Sequence, residues 1–74
     1  MAMMQTQTSS RRLIKLPEVR RKTGHGTTKI YELEAKGDFP KRVKLTPRSV
    51  AWVEDEVDEY VASLIAARDQ SDAQ

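Results

Sequence analysis

Thr27, Thr28, Lys29, Tyr31 and Glu32 stand close together, directly after the turn sequence Gly24-His25-Gly26. Each ends in a hydrogen-bonding group of different reach, which suits the reading of polar edges rather than the breaking of bonds. Catalysis finds no support in the spacing. His25 is the only histidine and has no nucleophile or second ligand at motif distance. Ser9, Ser10, Ser49, Ser63 and Ser71 have no histidine beside them at motif spacing, and no phosphate loop is present. With no cysteine, neither a disulfide framework nor a thiolate zinc site can form. The acidic run Glu54, Asp55, Glu56, Asp58 and Glu59 reads as a solvated helix face, since nothing apolar surrounds it to change its affinity for protons. No catalytic residue, metal ligand or cofactor is expected.

Charge supplies the second clue. Residues 1–48 carry 12 Lys and Arg against 4 Asp and Glu, a balance of +8, whereas residues 49–74 carry 1 against 7, a balance of −6. Such a division suggests that the first two thirds face a polyanion and that the last segment is kept away from it. Arg20, Arg21 and Lys22 are free to meet phosphates, as are Lys36, Arg42, Lys44 and Arg48, and His25 serves as a packing or phosphate-contacting residue. The competing reading of each is a charged surface that merely meets water.

The elements that must position these groups follow from pattern. Met1 to Ser10 is polar and aperiodic, a tail with no assigned role; residues 11–67 form one domain, and residues 68–74 a second flexible tail. Leu13, Ile14 and Leu16 pin the chain to the core. A first helix runs from Pro17, suited to a helical first turn, to about Lys22, with only Val19 strongly apolar. A second starts near Gly26 or Thr27, with a threonine hydroxyl available to cap it, and ends at Gly37. Ile30 and Leu33 mark its buried side. Thr28, Glu32 and Ala35 then point outward, Thr27 and Tyr31 lie on one flank, and Lys29 and Lys36 on the other. The glycine turn between these helices gives a helix-turn-helix pattern.

Beyond Phe39 and Pro40 the period changes to two. Val43 and Leu45 alternate with Arg42 and Lys44, and Val50 and Trp52 with Ser49 and Ala51, so two strands meet at Thr46-Pro47-Arg48 with Arg48 at the tip. From Glu54 an amphipathic helix carries Val57, Tyr60, Val61, Leu64 and Ile65 at i, i+3, i+4, i+7 and i+8. This stripe is expected to close over the hairpin and the second helix, around Trp52. No stretch has the roughly 20 apolar residues of a membrane span, and Met1 to Ser10 lacks the core of a signal peptide, so a cytoplasmic protein is expected.

In order and spacing, L-I-K-L-P-E-V, T-G, T-K-I-Y-E-L, K-G-D-F-P, V-K-L, P-R-S-V-A-W and E-D-E-V-D-E-Y resemble the AlpA family of small prophage regulators, related to excisionases and to the MerR-like winged helix. The resemblance spans Leu13 to about Ala66. It implies a mainly α fold with a small β-hairpin, a winged helix-turn-helix, that binds double-stranded DNA and regulates integrase or excision functions, or acts as an excisionase that bends attachment-site DNA. Thr27, Thr28, Lys29, Tyr31 and Glu32 then occupy the reading helix and Arg48 the wing. The family usually has an apolar residue where His25 and Glu34 stand and often a basic one where Glu32 stands. A domain this small needs a dimer or side-by-side copies on repeated sites for useful affinity. The other class open to the sequence is an interaction module that binds a partner such as an integrase.

Overall fold

The computed structural model describes residues 12–72, with side chains described through residue 70. The expected N-terminal tail, residues 1–10, lies outside the described residues. In chain order the elements are β1 (Leu13–Ile14), α1 (Leu16–Thr23), α2 (Thr27–Lys36), β2 (Val43–Thr46), β3 (Ser49–Val53) and α3 (Glu54–Asp72). Three helices and a three-stranded antiparallel sheet of order β1-β3-β2 make a winged helix-turn-helix, with the β2–β3 hairpin as the wing.

Proline near the start of α1 fits where no backbone donor is needed, and Glu18 beside it complements the helix dipole. Gly24 ends α1 in the left-handed region at φ 79°, and its N–H bonds to the Arg20 carbonyl at 2.8 Å. That conformation favours glycine. Gly26, by contrast, is extended at φ −82° and is itself the N-cap of α2. No side chain caps that helix, so the expected threonine cap is not made. The Thr23 hydroxyl is used instead across the turn, donating to the Val19 carbonyl at 2.9 Å and accepting the His25 N–H at 3.1 Å. Gly37 closes α2 at φ 82°.

The core consists of Ile14, Val19, Ile30, Phe39, Trp52 and Val57, with Leu16, Leu33, Val50 and Tyr60 packed around it. Every element except β2 sends a side chain into this cluster. Trp52 is its fully buried centre, and Phe39 meets Tyr60 edge to face at 4.7 Å between centroids.

Four further expectations are corrected. The segment Leu13–Ile14 is a strand, pairing Leu13 with Val53 and Ile14 with Trp52. This makes β3 the central strand, with a neighbour on either edge. Ala51 and Trp52 are therefore both buried, and the simple alternation of Val50 and Trp52 against Ser49 and Ala51 fails. Second, all of β2 is exposed, including Val43 and Leu45, because it pairs on one edge only and no layer covers it. A register shift between Lys44 and Thr46 leaves Leu45 as the extra residue of a bulge. Third, α3 packs chiefly on α1 and β3 rather than on α2. Fourth, its stripe is covered only at its start: Val57 is buried, Tyr60 and Val61 are half-buried, and Leu64 and Ile65 are 45% and 47% exposed. The helix simply outruns the body, continuing to Asp72.

Candidate nucleic-acid interface

Helix α2 is held by its inner side, Ile30 buried and Leu33 half-buried, so its opposite side is fixed in space without being covered. Thr28, Lys29, Tyr31, Glu32, Ala35 and Lys36 are exposed there, and Thr27 is half-buried at the first turn. Among the described residues, the charge pairing on that surface is a loose one, Lys29 Nζ to Glu32 Oε1 at 4.0 Å, which water screens almost completely. At the end of α1, Arg20 and Arg21 are exposed and border a hollow of about 380 Å³ with Gly24, His25 and Gly26.

A second and larger concavity lies between α2 and the wing. This open groove of about 950 Å³ brings together Tyr31, Lys36, Lys41, Arg42 and Arg48. Helix α2 and the wing tip thus share one basic trough. Lys41 is the residue that sequence reasoning missed; its signal was its place in the run Lys41-Arg42 directly after Pro40. Lys44, from the outer strand of the wing, is exposed but does not line the groove. Arg48 stands at the tip of the hairpin, where its N–H bonds back to the Thr46 hydroxyl at 3.2 Å. Among the described residues, no ion pair engages Arg20, Arg21, Lys36, Lys41, Lys44 or Arg48.

Other residues from the basic and turn segments have internal partners. Lys22 is tied to α3, its Nζ 3.0 Å from Asp58 Oδ1 and 3.3 Å from Glu54 Oε2, and so is not free for phosphate as its neighbours are. Hydrogen bonds to Asp58 first and Glu54 second hold its ammonium above the ordinary lysine pKa. Glu54 also takes Arg12 at 3.5 Å, with its side chain only 14% exposed, so the acidic start of α3 is in part a clamp on α1 rather than wholly a solvated face. His25 Nε2 lies 2.9 Å from the Tyr60 hydroxyl, which answers the packing question that a histidine in the turn raised. Burial, and secondarily Asp38, raise the Tyr60 pKa. Arg42 is held by Glu34 and lies over the Tyr31 ring at 5.0 Å from its centroid.

No group of three side chains able to hold a metal occurs among the described residues, and no described helix is long and apolar enough to cross a membrane. An outward helix, a basic trough and a β-hairpin define a winged helix-turn-helix of the nucleic-acid-binding class. The family model described as "Prophage CP4-57 regulatory protein (AlpA)" matches residues 12–65, and the chain belongs to that AlpA family. It is 42% identical to an uncharacterized protein, ORF88, of Enterobacteria phage P4, over 77% of this chain and 65% of that one. To the DNA-binding transcriptional activator AlpA of Escherichia coli (strain K12) it is 38% identical, over 73% of this chain and 86% of the relative. The chain therefore spans just under two thirds of the phage protein's length.

Proposed function

We propose that this chain is a sequence-specific regulator that binds double-stranded DNA of a prophage or integrative element and controls transcription of its integrase or excision functions. The observation that carries this reading is the shared trough: an uncovered α2 and a basic hairpin lining it, with the acidic first turns of α3 clamped to α1 by Lys22 and to the segment before β1 by Arg12. Thr28, Lys29, Tyr31 and Glu32 enter the major groove and address base edges, Glu32 being suited to the amino group of cytosine. Lys36, Lys41, Lys44 and Arg48 neutralise phosphates, with Arg48 at the adjacent minor groove, and Arg20, Arg21 and His25 meet the backbone on the other side of α2.

One domain of this size covers few base pairs, so two copies act together on neighbouring sites. Leu64 and Ile65, exposed on the outer half of α3, are the apolar surface through which they meet.

The test is selection of bound duplexes from a random-sequence pool, followed by footprinting of the winning motif in the promoter and attachment regions of the host element. Recovery of one motif, protected in an integrase or excision promoter, is the expected result. Protection confined to the attachment region would favour the excisionase reading, and recovery of no motif would contradict sequence-specific binding.

A further inference from the structure

The wing is attached loosely to the reading helix, since β2 pairs only with β3 and is exposed along its whole length. One polar cluster spans the gap. The Glu34 carboxylate on α2 accepts the backbone N–H of Arg42 at 2.7 Å through Oε2 and the Arg42 guanidinium through Oε1. The same guanidinium lies over the ring of Tyr31, which in turn packs near Trp52 with 6.3 Å between centroids. A continuous path therefore runs from the core through the reading helix to Arg42, the residue directly before the wing.

We propose, resting on the DNA-binding reading above, that Glu34 governs selectivity by keeping Arg42 as a strut between reading helix and wing instead of a phosphate contact. The exposures decide which partner Arg42 keeps. The Glu34 side chain is only 10% exposed, whereas that of Arg42 is 45% exposed. Should Arg42 swing out to a phosphate, the carboxylate would stay covered with a single N–H donor, and a covered charge without its partner is strongly disfavoured. The strut has two consequences. Arg42 arrives at DNA already neutralised and releases no counterion. The wing tip stands at one fixed distance from α2, so that both meet a duplex in a single register.

Glu34→Gln separates these effects from folding, because the amide oxygen still accepts the Arg42 N–H while the charge that holds the guanidinium is gone. The probes are the best duplex selected from the random pool by the parent chain and a scrambled duplex of the same composition, with affinities measured across a salt series. In Glu34→Gln, affinity for the scrambled duplex rises several-fold, the log-log salt slope steepens by about 0.9, the value for one further phosphate contact, and the ratio between the two duplexes narrows. In Arg42→Gln the slope stays that of the parent while the ratio also narrows. The double variant keeps the parent's slope. Amide exchange at Arg42 reports the strut without DNA: slow in the parent and in Glu34→Gln, fast in Glu34→Ala.

The inference is overturned if Arg42→Gln flattens the slope by about 0.9, since Arg42 then contacts phosphate in the parent. It is equally overturned if Glu34→Gln leaves both slope and scrambled affinity unchanged. A parent chain that binds neither duplex overturns the DNA-binding reading, and the inference with it, whereas the two preceding outcomes sink the strut alone.

Discussion

Trp52 offers a quantitative check on how the core is built, because two opposing effects meet in one side chain. It is fully buried, yet its indole Nε1 has no hydrogen-bond partner among the described residues. Trp52→Ala removes the central side chain of the core and should cost about 3–5 kcal/mol. At roughly 0.05–0.15 kcal/mol per residue the 74-residue chain has only about 4–11 kcal/mol in total, so this variant should be largely unfolded or close to it. Trp52→Phe behaves differently. It gives up apolar burial on the order of 1 kcal/mol, but it also removes an unpaired buried donor whose desolvation costs about 1–3 kcal/mol. The two together leave the variant between as stable as the parent and about 2 kcal/mol more stable. The assay is urea denaturation followed by circular dichroism, since both variants lose the only tryptophan and with it the fluorescence signal. If Trp52→Phe were destabilised as much as Trp52→Ala, the shape of the indole would dominate and the unpaired donor would carry no measurable cost.

Three further outcomes are expected. The raised Lys22 pKa means that its contribution to stability is fully present below the ordinary lysine value and is lost as pH rises through the raised one. The melting temperature of the parent should therefore fall more steeply above about pH 10 than that of Lys22→Met; parallel curves would contradict the clamp, since the raised Tyr60 pKa acts in the same direction in both proteins. Thr28→Ala or Lys29→Ala should relax base preference by about 1–3 kcal/mol, while Arg48→Ala weakens selected and scrambled duplexes together; the opposite pattern in the same binding assay would exchange reader and clamp. Replacing Leu64 and Ile65 by Ser should change stability little, because both are about half exposed, but should abolish cooperative binding to a two-site duplex in a titration. Unchanged cooperativity would move the contact between copies elsewhere.

The elements legible in the sequence are those whose signal is local. Gly24 and Gly37 end two helices, the acidic first turn of α3 fits its dipole, and Pro47 turns the hairpin. Strand β1 escaped because two residues are too short to display a period, and its partner Val53 lies forty positions away. Leu64 and Ile65 continue the stripe of Val57 and Tyr60 without a break, so nothing in the pattern marks where the body beneath them ends. The outward residues of α2 were readable from helical geometry alone. What could not be read was which cations are spent internally. Lys22 looks like Arg20 and Arg21 in a basic run, yet its acceptor Asp58 lies 36 residues on. The pairings of Glu34 with Arg42 and of His25 with Tyr60 are likewise tertiary, joining residues on different segments of the fold.

On the DNA-binding proposal, the unpaired cations flanking α2 and on the wing meet the phosphates of duplex DNA. Six cations there have no ion-pair partner among the described residues, and Lys29 has a loose one at 4.0 Å. At about 0.9 per phosphate contact, three to seven such contacts give a log-log slope of binding constant against salt of roughly −3 to −6. The measurement is the affinity of the full chain for a nonspecific duplex across a salt series by fluorescence anisotropy. A straight line within that range is the predicted result, and a slope near zero would contradict the account.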